Sequence, residues 1–180
     1  MTPPPFSRPV RVEAIPRDGL ETRIEADAGE RAALAAFNGL PAVAALGAAF
    51  SLKHGGGGTI LVRGELSAEV TQTCVVTLEP FEASISAPID LRFAPADDAS
   101  ARPGAAASEA ETTLVVGEED EPDPIVDGVI DLGAVASEFL TLNLDPYPRK
   151  PGAAFESPAS GGDGASDSPF SVLAERKKDA

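Results

Sequence analysis

Tryptophan is absent from this 180-residue chain, and tyrosine, cysteine, histidine and methionine occur once each. A single cysteine excludes an internal disulfide framework. One cysteine with one histidine also cannot supply the four ligands of a structural zinc site. Basic residues are scarce: 14 against 29 acids, for a formal charge of −15. A surface this acidic repels phosphate backbones, which disfavours non-specific nucleic-acid binding and favours basic partners. No apolar run approaches the roughly 20 residues that span a bilayer. The N-terminus, Met1-Thr2-Pro3-Pro4-Pro5-Phe6, lacks the basic and apolar regions of a signal peptide, so a cytoplasmic location without membrane attachment is expected. The apolar fraction is 43%, enough for one domain with tails, but much of it is alanine and the core is accordingly modest.

Strand and helix periodicities alternate along the chain. Residues 10–14 and 20–26 have strand character, with Leu20, Thr22, Ile24 and Ala26 alternating against Glu21, Arg23 and Glu25, and residues 16–19 form the turn between them. Asp27 stands three residues before Glu30, the spacing of a capping box that opens a helix. Leu34 and Phe37 fall on one face of that helix, and Asn38-Gly39 ends it. Residues 43–53, 59–66, 68–76 and 82–93 then read as four strands of an antiparallel meander. Leu132, Val135, Ala136, Phe139 and Leu140 form an apolar helical stripe that predicts a cover for the sheet. Asp131 is placed to cap this second helix, and Pro146 and Pro148 prevent its continuation.

Residues 94–127 carry ten acids and one base, so this stretch reads as a mobile acidic insertion with one short strand at 113–116. Residues 1–5 are a proline-rich tail. Residues 153–169 are a linker of small and polar residues, followed by a segment ending in Arg176-Lys177-Lys178.

Few residues invite a chemical role. Cys74 has no base beside it, and His54 stands at a glycine turn on another strand, so the thiol reads as a buried, apolar-like side chain in the sheet. The four glycines at 55–58 lack the Lys-Ser/Thr of a phosphate loop and precede no helix. The acids show no EF-hand spacing. Tyr147, Arg149 and Lys150 are the candidate binding residues: three prolines stiffen an aromatic and two cations, a combination suited to stacking on bases or recognising phosphate. The bland alternative is that Tyr147 caps the core while the two cations pair with local acids.

Two segments carry a resemblance. One is Gln72-Thr73-Cys74-Val75-Val76-Thr77-Leu78-Glu79-Pro80-Phe81. The other is Asp127-Gly128-Val129-Ile130-Asp131-Leu132-Gly133, followed by Glu138 and by Asp145-Pro146-Tyr147-Pro148-Arg149-Lys150-Pro151-Gly152. Together they resemble the YceD family, the large-ribosomal-RNA-subunit accumulation proteins, in its alphaproteobacterial form. The likeness runs from Phe6-Ser7-Arg8-Pro9-Val10 to Gly152 and resumes at Pro169-Phe170. It implies support of 23S ribosomal RNA accumulation. In the wider family the position of Cys74 begins a Cys-x-x-Cys pair, and some members have later cysteines that look like the rest of a zinc site. Thr77 occupies the second place here and the later cysteines are absent, so the resemblance carries no metal onto this chain.

The expected fold is α+β: an antiparallel meander of about six strands packed by one or two helices. Residues 6–152 form the domain, 94–127 an acidic insertion within it, and 153–180 a tail. The expected function is non-enzymatic, with no catalytic residue, cofactor, metal or small-molecule ligand. The acidic surface would engage a basic ribosomal protein or a large-subunit assembly factor; direct contact with ribosomal RNA is the less favoured route. The alternatives are an RNA-processing enzyme of hydrolase or nuclease type and a general acidic chaperone.

Overall fold

The structure, a computed structural model, describes residues 5–95 and 122–154. Its seven strands are β1 (Pro9–Arg11), β2 (Leu20–Glu25), β3 (Ala42–His54), β4 (Ile60–Thr73), β5 (Pro80–Pro95), β6 (Asp123–Ile125) and β7 (Val129–Asp131). Its two helices are α1 (Ala28–Asn38) and α2 (Leu132–Leu142). The fold is α+β. Five strands form one sheet in the order β2-β3-β4-β5-β6, and β1 pairs with β7 in a separate small sheet.

Period-two patterning explains the large sheet. Along β4, Ile60, Val62, Leu66, Ala68, Val70 and Gln72 are buried, while Arg63, Glu65, Ser67 and Glu69 face solvent. On β3 the buried set is Val43, Leu46, Ala48, Phe50 and Leu52, with an irregularity between Val43 and Ala45 where the alternation shifts. Residues 59–66 and 68–76, expected as two strands, form one strand ending at Thr73. Ser67 does not break it, because it pairs with Gly47 on one side and Ser86 on the other without a change of face. Over most of its length β5 is an edge among the described strands, which is where Pro88 is tolerated.

Both helices lie against the buried face. The capping box opens α1 as its spacing predicts: Glu30 N–H donates to Asp27 Oδ1 and Asp27 N–H donates to Glu30 Oε2, both at 2.8 Å. Gly39, at φ 64°, ends the helix in the left-handed conformation that favours glycine. Leu34 and Ala35 are its buried residues, so Phe37 lies roughly 110° from the centre of the buried face at about 100° per residue. Phe37 is 67% exposed and does not share the Leu34 face.

In α2, Leu132, Ala136 and Leu140 are 0% exposed and Val135 is buried, while Phe139 is half-buried against the same core. Asp131 Oδ1 caps the helix, accepting from Gly133 N–H (3.0 Å) and Ala134 N–H (3.1 Å). Each buried leucine of this kind contributes about 1.5–3 kcal/mol by leaving water.

The N-terminal segment departs from the expected pattern. Residues 10–14 are not one strand: β1 stops at Arg11 and a 3-10 turn spans Val12–Ala14. The partner of β1 is β7, not β2, whose own partner is β3. Both ends of the acidic stretch at 94–127 belong to the large sheet. Ala94 and Pro95 belong to β5, and β6 pairs with them in parallel, which the antiparallel meander did not foresee. Residues 96–121, including the strand expected at 113–116, lie outside the described residues, as do 1–4 and 155–180.

Arg8 joins these parts. Its guanidinium grips Glu30 through two bonds, at 2.6 and 2.9 Å, and lies 4.7 Å from the centre of the Phe6 ring. Its N–H donates to Asp131 Oδ1 (2.6 Å), and its carbonyl accepts from Leu132 N–H (3.1 Å). One residue thereby links the N-terminal ends of both helices. The bond to Glu30 raises the pKa of Arg8 and lowers that of Glu30. Gly133 is required by the same approach, because a Cβ there would lie 2.7 Å from both Arg8 N and Ser7 Cα.

Candidate functional site

Cys74 lies just past the end of β4, in the turn between β4 and β5 rather than in the sheet itself. It is 0% exposed. The turn closes on itself through Cys74 N–H to the Glu79 carbonyl and Leu78 N–H to the Cys74 carbonyl, both 2.9 Å. Leu78 adopts φ 59°, a left-handed conformation uncommon for a branched side chain, and its side chain is 77% exposed.

Donors converge on the sulfur. The Thr77 side chain is the largest influence, followed by the peptide N–H groups of Lys150 and Thr77 and, behind the opposing effect of burial, that of Val76; together they bring the Cys74 thiol down from 9.0 to about 6. Thr77 N–H stands 3.5 Å from Sγ. Each of these donors favours the thiolate over the thiol, and burial opposes them.

His54 cannot act on it. It sits at the opposite end of β4, a strand of 14 residues that spans roughly 40 Å at the usual rise. The ring is nevertheless held in place: its Nε2 lies 3.0 Å from the Ile15 carbonyl, which can only accept, so Nε2 carries the proton. Cys74 and His54 do not form a nucleophile–base pair.

The donor set around Cys74 also does not fit zinc. Thr77 offers a neutral hydroxyl where a second thiolate would stand, and no group of three His, Cys, Asp or Glu side chains converges among the described residues. The sulfur is occupied by N–H donors instead.

Those donors come from two segments, and this joins the Cys74 turn to residues 145–152. Val75 N–H donates to the Pro148 carbonyl (2.9 Å), and Gln72 Nε2 to the Asp145 carbonyl (3.3 Å). Lys150 Nζ pairs with Glu79 Oε2 at 3.0 Å. The two segments that stand apart in sequence form one surface.

The three candidate binding residues lie on it in different circumstances. Tyr147 is 73% exposed, with only its N–H engaged, on Asp145 Oδ1 (2.8 Å). It does not cap the core. Arg149 is exposed and makes no ion pair among the described residues. Lys150 is partly neutralised by Glu79.

The C-terminal ends of the helices reach the same end of the molecule, where the Thr141 hydroxyl donates to Asn38 Oδ1 (2.8 Å). Of the six large apolar side chains exposed among the described residues, five belong here: Phe37, Val75, Leu78, Leu142 and Tyr147. Sequence reasoning missed four of them. The signal for Leu142 was present, because it falls off the apolar stripe of α2. No local pattern announced that these segments meet. The outer face of the large sheet offers a different surface, a shallow depression where Arg23, Arg31, Glu25 and Glu69 mix both charges over small residues such as Gly47 and Ser67. No helix among the described residues is long and apolar enough to cross a membrane.

Residues 62–178 match the family model described as large ribosomal RNA subunit accumulation protein YceD. That span covers both segments of the surface just described. No curated protein and no solved structure matches the chain.

Proposed function

The chain belongs to the YceD family, and with it to the accumulation of the large ribosomal RNA subunit; from that premise we propose that it acts as a non-enzymatic binding factor in large-subunit biogenesis, in the cytoplasm. The observation that carries the process is the match over 62–178, nearly two-thirds of the chain. The mode of action follows from charge. At −15, the protein draws basic ribosomal proteins or assembly factors and repels bare RNA. Residues 94–127, with ten acids and one base, are the strongest attractor, and Tyr147, Arg149 and Lys150 add a local contact at the Cys74 end.

Direct RNA contact is the second reading. It is favoured by the exposure of Tyr147 beside Arg149, an aromatic ring and a cation suited to stacking and phosphate contact. Two cations make a weak footprint against the overall charge, so the protein partner remains the first reading.

Ribosomal particle profiles of a strain lacking the protein test the process: 23S should fall relative to 16S, and unchanged 50S and 23S levels would sink it. Affinity capture tests the mode. Binding to a basic protein should survive ribonuclease, weaken steeply with salt and be lost on deletion of 96–121. Capture that vanishes with ribonuclease, survives that deletion and fails in Arg149→Glu with Lys150→Glu would establish the RNA reading instead.

A further inference from the structure

We propose that the chain's own C-terminal segment, residues 169–178, docks onto the apolar end formed by Phe37, Leu78, Leu142 and Tyr147. The inference goes beyond the family's process and does not depend on the identity of any partner.

Four observations converge. The first is the leftover apolar surface. A small acidic domain that leaves five large apolar side chains exposed at one end, with both helix termini there, presents a patch of the kind that marks a contact.

The second is where the chain goes. The last described residue, Ala154, lies at this end, because Ala153 N–H donates to the Lys150 carbonyl (2.9 Å). Fourteen residues, 155–168, separate it from Pro169, and a chain of that Gly/Ser-rich composition spans about 20 Å. That distance is comparable with the length of α2, so the segment reaches the patch without strain.

The third is complementary chemistry. Apart from Ser171, Pro169-Phe170-Ser171-Val172-Leu173-Ala174 is apolar, with Phe170 and Leu173 three residues apart, the spacing of one helical face. Arg176, Lys177 and Lys178 follow, three of only 14 basic residues in the protein. The end they would meet carries exposed acids at Glu138 and Asp145 beside the cations Arg149 and Lys150, so the fit rests first on the apolar side chains.

The fourth is the family pattern, which extends to residue 178 and so includes the segment together with the Cys74 turn and residues 145–152.

Tethering favours the contact. A tether of this length supplies an effective concentration of about a millimolar, so a segment binding with a Kd near 0.1 mM would be docked about nine-tenths of the time. Any partner that uses Tyr147 would then compete with the segment for the same surface.

The protein contains one tyrosine and no tryptophan, so its intrinsic fluorescence reports on Tyr147 alone. Acrylamide quenching of the purified full-length chain is compared with that of Phe170→Ser combined with Leu173→Ser. Circular dichroism confirms that the folded content is equal. The expected result is a severalfold larger quenching constant in the double variant, with protection in the parent chain that does not change on dilution. Equal quenching in both chains overturns the proposal. Protection that fades on dilution also overturns it, since the occupant is then a second copy. Protection that appears only when lysate is added assigns the patch to a partner and overturns it as well.

Discussion

The two ends of the helical layer satisfy their surface groups in opposite ways. At the N-terminal ends of α1 and α2, polar atoms are matched with one another: Asp27 with Glu30, Glu30 with Arg8, Arg8 with Asp131, and Asp131 with the first turn of α2. At the C-terminal ends, polar bonds still join the segments, through Thr141 to Asn38 and Val75 to Pro148, but Phe37, Leu78, Leu142 and Tyr147 remain in water. An end whose donors and acceptors are already paired offers a partner little, since every contact must replace one of equal quality. An end with exposed apolar side chains gains by being covered. The proposed binding therefore falls at the Cys74 end, while the Arg8 end braces the two helices.

The largest effect should come from the core that both ends share. Leu132→Ala and Leu140→Ala, one near each end of α2 and both 0% exposed, should each cost about 2–5 kcal/mol in chemical denaturation. Similar costs would show that the helix is anchored equally and that the difference between the ends lies at the surface. A loss below about 1 kcal/mol at Leu140 would mean that the Cys74 end is not packed as described. Phe139→Ala, at a half-buried position, should cost less than Leu140→Ala.

Next is the cap. Asp131→Ala removes an N-cap and the acceptor for Arg8 N–H, and should cost about 1–2 kcal/mol. Asn143→Ala, whose side chain bonds only the Phe139 carbonyl in the last turn, should stay within about 0.5 kcal/mol. Equal losses would erase the asymmetry.

The ends should also respond to pH in different windows. Arg8 holds the Glu30 carboxyl below its ordinary 4.5, so its stabilisation is present above that value and is lost as the pH falls through the lowered one. Cys74, drawn from 9.0 to about 6, contributes fully above pH 9 and loses that contribution as the pH falls towards 6. Thermal unfolding of the parent chain should therefore rise from pH 6 to 9, Cys74→Ala should flatten that limb, and Glu30→Gln should flatten only the acid limb. A Cys74→Ala protein that keeps the parent slope above pH 6 would remove the thiolate from the account.

The smallest effect is the most diagnostic. Leu78→Ser and Leu142→Ser change side chains 77% and 69% exposed, and should alter stability by no more than about 0.5 kcal/mol while weakening whatever covers that end. A large stability loss in the isolated domain would reclassify the patch as part of the core.

Local features were legible in residue order. The capping box at Asp27 and Glu30, the stop at Gly39, the cap at Asp131 and the stripe from Leu132 to Leu140 each involve residues close along the chain, where helix geometry alone sets which atoms meet. Strand character was equally legible, because period-two alternation is a local property. Strand limits were less so: Ser67 looked like an interruption, and only its pairing with Gly47 and Ser86 makes β4 continuous.

Element types, helix ends and acidic character are set by residue order. Long-range packing sets the pairing of β1 with β7 across more than a hundred residues, the parallel run of β6 along β5, and the bracing of two helices by Arg8. The same packing brings Lys150 and Thr77 to one sulfur and gathers five exposed apolar side chains from four segments at one end. The difference is one of range. Caps and periodicities are fixed by bonds a few residues apart, whereas the neighbour of a strand end or an exposed leucine is fixed by how the whole chain packs its distant segments together.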